Sequence, residues 1–440
     1  MTTVAQFLSD HGPSRSSLIV EALVASGLSP VAARQHVSRA SKPVLRFPVA
    51  LLPKREAFLY LAKDRNGERF WQNFLRDLRE TNSVYAAAID GFIARGGRLP
   101  SDQFAVISGA TVSPRKGQLH VDAVAKRLIA ASFIKEVHDA DDGRCYELAG
   151  SLAYGTSAVM RARDLTERIT LDGVREWCRK IGMASYNSIR IRGDDELRPI
   201  GPFAFDLAGP SYLLPLQGAG SKPGFVVADA FAEGILTVQE IQYFIRKARV
   251  LKSTLKDVGV LAIIIAEGFT GEALTAGHAA GVMLATPKDL FGRKVGAAIA
   301  SLCEVLKDAA RYASSSPDRL NFLLDNLFDI EGRNGNLRGI LFELMAGYLA
   351  RRNAVSIDMG IRAKDPKSGK SKDIDVQAIT AHNSRVTAIE CKGKGPGGTL
   401  SLEDVDDWLA KIPVFRAHYA HHHTLREAEQ RYEIWTSGSI

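Results

Sequence analysis

The stretch of sequence from residue 372 to residue 394, KDIDVQAITAHNSRVTAIECKGK, constrains the fold more than any other part of the chain. Apolar residues indicate two strands in it, at 374–379 and 386–391. The polar residues 382–384 are typical of a turn between those strands. The pattern therefore predicts a β-hairpin around which the rest of the chain is organised.

Polar side chains of this hairpin are expected to meet at one place. Alternate residues of a strand lie on one face of a sheet, which groups Asp375 with Gln377 and Glu390 with Lys392. If the strands pair, two carboxylates and an ammonium converge where they would hold a hard divalent cation and a water molecule. The alternative is a solvated, charged hairpin rim. Glu390 interrupts an apolar run, and a buried carboxylate needs a partner, which favours the site.

Asp375 followed by Glu390-x-Lys392 resembles the core motif of the PD-(D/E)XK nuclease superfamily, whose fold is that of restriction endonucleases. The resemblance implies that Asp375 and Glu390 bind Mg²⁺, with Mn²⁺ as the alternative ion, and that Lys392 orients or deprotonates a water. Glu343, in a Gly-x-x-Phe-Glu sequence that looks like the methyl-directed restriction branch, would bind a second ion or hold a water ligand. Its alternative role is that of an exposed helical residue. Gln377 would complete the group of catalytic side chains.

The surroundings of the motif agree with this resemblance over residues 335–440. A helical stretch at 339–352 precedes the hairpin, a helix begins after Ser401, and a last strand is predicted at 432–435. The predicted order is helix–strand–strand–strand–helix–strand, which is the family's core order. The family usually adds another helix, and the sequence shows none after the last strand.

Lysines are concentrated in the segment KDPKSGKSKD, between the first two strands predicted for this domain. Lys364, Lys367, Lys370 and Lys372 lie in a Pro/Gly/Ser loop close to the predicted metal site, which favours a grip on phosphate groups. The alternative is a solvated turn.

Residues 1–65 resemble a winged helix-turn-helix domain. Its third helix is predicted to begin after Ser29, an N-cap candidate followed by proline. In this fold the third helix enters a major groove, so Arg34, Gln35 and Arg39 are expected to read base edges or contact phosphates of DNA. The alternative is a helical adaptor whose basic face contacts protein.

Residues 66–150 resemble a second winged helix after a connecting helix. Its wing tip, at 139–142, is acidic and would repel a nucleic-acid backbone, so this domain is expected to be a spacer or a dimerisation surface. Residues 301–334 are predicted to be a helical linker.

Residues 151–300 are interpreted as a degenerate copy of the C-terminal domain, because residues 237–248 align without a gap with the predicted helix at 401–412. Strands are predicted at 203–207 and 225–230, before this segment. In this copy Phe231 stands where the C-terminal domain has Lys392, and Asp206 and Asp229 are interpreted as remnants of carboxylate positions. The copy is therefore expected to be inactive and to act as a scaffold, a DNA clamp or a dimer surface. The alternative is an unrelated α/β unit with similar strand–helix–strand order.

The chain is thus expected to be an α/β multidomain protein (α+β), with tandem winged helices followed by two restriction-endonuclease-like domains. Its 440 residues carry a net charge of +8, which favours a polyanionic partner. Four scattered cysteines without a C-x-x-C pair are typical of a reduced cytoplasmic protein. No signal peptide or long apolar run is visible, so contact with a membrane is not expected.

The expected function is that of a Mg²⁺-dependent DNA endonuclease in restriction or anti-phage defence. Double-stranded DNA is its expected partner, a homodimer its expected state, and a partner ATPase or another defence-system protein a further partner. The resemblance also permits a repair, resolvase or transposition nuclease. The alternative from another class is a non-catalytic winged-helix DNA-binding regulator that keeps nuclease-like domains as scaffolds, and an RNase is a third reading.

Overall fold

The computed structural model describes most of the chain. The described residues are 3–139, 142–149, 157–184, 188–194, 197–293, 353–394 and 398–440, with residues 299, 339, 342, 343, 346, 347, 349 and 350 between them. They form helices and several separate sheets, which confirms a mixed α/β chain of the α+β type. The linker predicted at 301–334 lies outside the described residues. No helix in the described ranges is long and apolar enough to cross a membrane.

The first 61 residues combine short helices with a three-stranded antiparallel sheet of order β1-β3-β2. Its elements are α1 (Val4–His11), β1 (Ser14–Arg15), α2 (Ser16–Ala25), α3 (Pro30–Arg39), β2 (Val44–Arg46) and β3 (Phe58–Leu61). The helix α3 begins as predicted, because the Ser29 side chain accepts a hydrogen bond from the amide of Ala32 and proline takes the first helical position. Ala33 and Val37 of this helix are buried, so the other face of α3 points to solvent.

A second antiparallel sheet, of order β4-β6-β5, follows with its helices. These elements are α4 (Glu68–Glu80), α5 (Val84–Ala94), β4 (Arg98–Pro100), α6 (Phe104–Ile107), α7 (Val121–Ala130), β5 (Ile134–Asp139) and β6 (Gly143–Leu148). The sequence predicts a helix at 100–108, and the chain there is helical from Ser101, with a 3₁₀ turn at Ser101–Gln103 that leads into α6; only Pro100 belongs to strand β4.

The middle of the chain builds a five-stranded sheet of order β13-β11-β9-β8-β7. Its region contains α8 (Ser157–Lys180), β7 (Arg190–Ile191), β8 (Leu207–Ser211), β9 (Gly224–Ala230), β10 (Ile235–Leu236), α9 (Gln242–Thr254), β11 (Val260–Ile265), β12 (Gly268–Phe269), α10 (Gly271–Ala279), β13 (Val282–Ala285) and α11 (Pro287–Phe291). Two sequence predictions are corrected here. The strand predicted at 203–207 lies instead at Leu207–Ser211, and the helix predicted at 237–248 begins at Gln242 and ends at Thr254.

One apolar core runs through both of these regions. It includes Phe74 and Phe104 from the second region and Phe203, Phe244 and Val282 from the third, all of them buried. The predicted boundary at residue 150 therefore does not coincide with a break in the core.

The C-terminal part of the chain forms a four-stranded sheet of order β14-β15-β16-β17 covered by one long helix. The elements are β14 (Ser356–Lys364), β15 (Ser371–Ile379), β16 (Arg385–Lys392), α12 (Leu402–Ala420) and β17 (Glu429–Thr436). One face packs against α12 through Trp408 and Phe415, and the other packs against Phe342 and Ala346 of the preceding helical residues. The sheet is thus sandwiched between two helical layers.

The two large sheets share their strand order and directions. In the last sheet β14, β15 and β16 are successively antiparallel, a helix follows, and β17 returns parallel to β16. In the middle sheet β7, β8 and β9 are successively antiparallel, α9 follows, and β11 returns parallel to β9. The middle sheet then adds β13, parallel to β11.

The β14–β15 hairpin reverses its two faces partway along. Ile374 and Ile361 pack in the core under α12, whereas Val376 packs on the opposite face, although it is only two residues from Ile374. The ladder skips one position between these pairs, that of Gly360 and Asp375, and Gly360 has a φ of 63°. Strict alternation therefore fails at Asp375, and the side chains on either side of it point to different layers.

Candidate active site

Asp375 and Glu390 lie where the central strands part. Pairing between β15 and β16 ends at Val376 and Ile389, so Asp375 and Glu390 occupy the next position along the two strands. The Asp375 Oδ2 atom accepts a hydrogen bond of 2.6 Å from the backbone amide of Cys391. This bond replaces the missing ladder contact and fixes the carboxylate beside the end of β16.

Two ammonium groups hold the Glu390 carboxylate, which is only 3% exposed. Lys392 Nζ lies 3.1 Å from its Oε1 atom. Lys411 Nζ, from α12, donates to both oxygens at 2.7 Å. The sequence predicted Lys392 but not Lys411, which lies 21 residues from Glu390 along the chain. The only signal for it was its place in the segment that aligns with residues 237–248.

Glu343 forms an acidic cluster with Asp375 and Glu390 in which three simultaneous negative charges are unfavourable. Burial raises the pKa of Glu343 to about 8, and the charges of Asp375 and Glu390 add to that shift. Burial and the charge of Glu390 likewise raise the pKa of Asp375 to about 6. Burial lowers the pKa of the Lys392 ammonium, but its hydrogen bond to Glu390 and the charges of Glu390, Asp404 and Asp375 together raise that pKa above its usual value. The acids therefore need added positive charge near neutral pH, while Lys392 stays protonated.

The chemistry of this donor set fits a hard divalent cation. Asp375, Glu390 and Glu343 offer carboxylate oxygens, the ligands that Mg²⁺ prefers, in a site with raised carboxyl pKa values. Within the described ranges, no three His, Cys, Asp or Glu side chains already stand as a metal-ligand set. Glu390 is turned to Lys411 and Lys392 instead, so a cation would compete with these two ammonium groups.

Gln377 lies apart from this contact network. Its Oε1 atom accepts a hydrogen bond of 2.8 Å from the Tyr419 hydroxyl on α12. Its Nε2 atom donates to Asp358 on β14 at 3.4 Å. Its amide is therefore bound to the sheet and the covering helix, and not to Asp375 or Glu390.

The lysine-rich segment forms the exposed tip of the β14–β15 hairpin. Lys364, Lys367, Lys370 and Lys372 are all exposed, and none makes an ion pair with another described residue. The Asp365 carboxylate accepts hydrogen bonds from the amide of Lys367 and the hydroxyl of Ser368, which lowers the pKa of Asp365. The tip is thus an ordered turn that presents lysines near Asp375 in sequence.

The three side chains predicted to contact DNA at the N-terminal end are exposed on α3. Arg34, Gln35 and Arg39 project from the face opposite the buried side of this helix. Arg46 of β2 donates to the carbonyl oxygens of Val37 and Ser38, which satisfies the end of α3. A supported helix with an exposed basic face is compatible with either a nucleic-acid or a protein contact.

No protein-family model matches the chain, and comparison with curated proteins and with solved structures gave no significant match.

The acidic group predicts how stability depends on pH in the absence of metal. A carboxyl group with a raised folded-state pKa binds more protons when folded, so stability falls as pH rises above its unfolded pKa. Between about pH 5 and about pH 8, the melting temperature in EDTA is expected to fall, and Glu343→Gln is expected to flatten that fall. Differential scanning calorimetry measures both. A wild-type curve that parallels the Glu343→Gln curve throughout this range would contradict the assignment.

Proposed function

We propose that the chain is a Mg²⁺-dependent DNA endonuclease with a restriction-endonuclease-like C-terminal domain, acting in restriction or anti-phage defence. The observation that carries the proposal is the meeting of Asp375, Glu390 and Lys392 at the point where β15 and β16 part. The sandwich of a mixed four-stranded sheet between two helical layers also supports the resemblance to PD-(D/E)XK nucleases.

Each polar group at the site has a distinct part in phosphodiester hydrolysis. A divalent cation, when held by Asp375, Glu390 and Glu343, would supply Lewis-acid activation and neutralise charge at the phosphate. The protonated Lys392 is suited to stabilise the negative charge that develops on the phosphate oxygens. Lys411 grips both Glu390 oxygens and acts as a positioning residue. The amide of Cys391 orients Asp375.

The decisive experiment is incubation of supercoiled plasmid with the protein and Mg²⁺, with EDTA in a parallel tube. We expect nicked or linear product with Mg²⁺ and none with EDTA. Methylated plasmid, single-stranded DNA and RNA serve as further substrates, because the catalytic core does not distinguish the sugars. Cutting of RNA alone would reassign the enzyme to the ribonucleases. Binding without cutting of any of these nucleic acids would favour the alternative, a non-catalytic DNA-binding regulator.

The regulator alternative has one observation in its favour. The Glu390 carboxylate is held by two lysines, so this one acid is already charge-compensated without a metal. A protein of this kind would bind duplex DNA through α3 and keep the C-terminal sheet as a scaffold. The plasmid experiment with EDTA separates it from the nuclease.

Cutting both strands of a duplex requires two active sites, so we propose that the protein acts as a homodimer on double-stranded DNA. A partner ATPase or another defence-system protein is a further proposed partner. Sedimentation velocity is expected to show a dimer at least when DNA is bound. Purely monomeric protein both with and without DNA would contradict this.

The lysines of the hairpin tip are proposed to bind phosphate groups. Replacing Lys364, Lys367, Lys370 and Lys372 by glutamine is expected to weaken DNA binding equally for all sequences. The slope of log affinity against log salt should fall by up to about 0.9 for each phosphate that the variant no longer neutralises. Fluorescence anisotropy over a salt series measures this.

The matched control replaces four exposed lysines elsewhere on the surface with glutamine. The control set is Lys54, Lys126, Lys256 and Lys288. It removes the same net charge, so an equal decrease of affinity in both quadruple variants would mean that the tip has no special role.

A further inference from the structure

The middle sheet contains a second, buried cluster of carboxylates, at the position equivalent to the candidate active site of the last sheet. Pairing of β8 with β9 ends at Leu207 and Ala228, so Asp206 and Asp229 occupy the next position. The Asp206 Oδ2 atom accepts a hydrogen bond of 3.1 Å from the amide of Ala230. This repeats the relation of Asp375 to Glu390 and to the amide of Cys391 in the last sheet.

The covering helices repeat the same relation. Lys247 of α9 donates to Asp229 at 2.8 Å, as Lys411 of α12 does to Glu390 at 2.7 Å. Near the start of each helix a hydroxyl residue and an acid are hydrogen-bonded to each other. These are Thr237 and Glu240 before α9, and Ser401 and Asp404 at the start of α12. Correspondence in register, hydrogen bonding and helix start argues that the two carboxylate groups are equivalent.

Two guanidinium groups fill the middle of this buried group. Arg95 binds Asp206 and lies 3.5 Å from Glu167 of α8. Arg192 binds Asp206 at 3.0 Å and Glu167 at 2.7 Å. Glu167 comes from the helix that precedes the sheet, as Glu343 does in the last domain. Asp206 and Glu167 therefore each bridge the same two guanidinium groups, as a bridging carboxylate joins two cations.

The buried cluster is charge-balanced without any metal. Glu167, Asp206 and Asp229 face Arg95, Arg192 and Lys247, and each of these residues is at most 9% exposed. Arg163 lies 3.8 Å from the Glu167 Oε1 atom and Asp164 lies 3.4 Å from Arg192, which adds one charge of each sign. Phe231 occupies the place equivalent to Lys392. The Arg95 guanidinium lies over the ring of Phe231, 5.0 Å from the ring centroid. One oxygen of Glu167, Oε1, is buried without a hydrogen-bond partner among the described residues.

We propose that Arg95 and Arg192 take the place of a divalent cation in the middle sheet. The clustered carboxylates there bind guanidinium groups of the same chain and therefore do not bind a metal ion. Because Arg95 comes from the end of α5, this group also anchors residues 68–149 to the middle sheet. The inference rests on the contacts of the cluster and does not depend on catalysis by the last domain.

The test removes the guanidinium groups of Arg95 and Arg192, giving the opened variant, and measures whether the carboxylates then bind Mn²⁺. The full chain carries Asp375→Asn and Glu390→Gln to silence the other acidic site, and free Mn²⁺ is followed by electron paramagnetic resonance. We expect no tight binding in this background, one Mn²⁺ per chain after Arg95→Ser with Arg192→Ser, and loss of that site when Asp206→Asn is added. The opened protein should also melt at a higher temperature with Mn²⁺ than without it.

Two results in folded protein would overturn the proposal. Mn²⁺ binding in the silenced background that disappears with Asp206→Asn would show that the group is a metal site despite its arginines. An opened variant with native circular dichroism and no bound Mn²⁺ would show that the acids cannot hold a cation.

A thermal cycle covers the case in which the opened variant does not fold. Arg95→Met and Asp206→Asn are each expected to lower the melting temperature, by about 10 °C, because each leaves one uncompensated charge in the buried cluster. The double variant should lose clearly less than the sum of the two. Additive losses would mean that Arg95 and Asp206 do not act as a pair, and the proposal would fail.

Discussion

Asp375→Asn is expected to abolish Mg²⁺-dependent cleavage, with a loss of at least about 10³-fold in rate. Asparagine has almost the same shape, and its side-chain oxygen can still accept the hydrogen bond from the amide of Cys391. Only the negative charge is removed, so folding should be retained while the capacity to hold a cation is lost. Plasmid cleavage under single-turnover conditions measures the effect, and anisotropy verifies that DNA binding is intact.

Variants of the lysines around the neighbouring Glu390 carboxylate test the same site. Lys392→Met is expected to lose about 10²- to 10⁴-fold in rate. Lys411→Met should lose less, because Lys411 positions Glu390 from α12. Lys394→Met is the matched control, since Lys394 binds Asp404 and makes no contact with Glu390. Cleavage that survives Asp375→Asn, or falls equally in all three lysine variants, would place the active site elsewhere.

Lys247→Met is expected to destabilise the folded chain by about 3–5 kcal/mol, the usual effect of removing one partner of a buried ion pair. Lys247 is fully buried, and its ammonium donates to Asp229 and to the carbonyl oxygens of Val106 and Ala204. Methionine fills a similar volume but leaves Asp229 without its cation and two carbonyl groups without a donor. Urea unfolding followed by circular dichroism gives the change from the shift of the midpoint.

Two further variants test the reason for that loss. Adding Asp229→Asn to Lys247→Met should recover part of the stability, because the unpaired charge is then removed. Lys252→Met removes an exposed ammonium of α9 that donates only to the carbonyl oxygen of Ala280 among the described residues, so it should change stability by about 1 kcal/mol or less. An unfolding midpoint for Lys247→Met that equals that of Lys252→Met would contradict the role of the buried pair.

Local patterns predicted the elements of the last domain well, and one element of the middle sheet poorly. The segment around Phe203 and Phe205 is apolar enough to indicate a strand, yet these side chains are core residues outside the strand. The real strand, β8, contains Gly209 and Pro210, residues typical of turns. Glycine is required there because a Cβ atom at 209 would lie 2.8 Å from the carbonyl oxygen of Ser188.

The site residues divide in the same way. Asp375, Glu390 and Lys392 lie within one hairpin and its end, so spacing alone predicted that they meet. Arg95 reaches Asp206 across 111 residues, and no periodicity within α5 indicates that partner. The reversal of faces at Asp375 was equally hidden, because only the packing of both strands reveals it. Local sequence thus predicted the acids, and long-range packing decided which cations neutralise them.

Carboxylates paired with buried arginines are under selection for stability, whatever happens to catalysis. Once Arg95 and Arg192 supply the positive charge, loss of Asp206 would leave these two buried guanidinium groups with one counter-charge too few, so mutation at this position is selected against. Such an acid is retained for folding even where it has no part in catalysis. Where one chain has two equivalent clusters of carboxylates, the cationic neighbours therefore distinguish a structural acid from one that is open to a metal better than the acids themselves do.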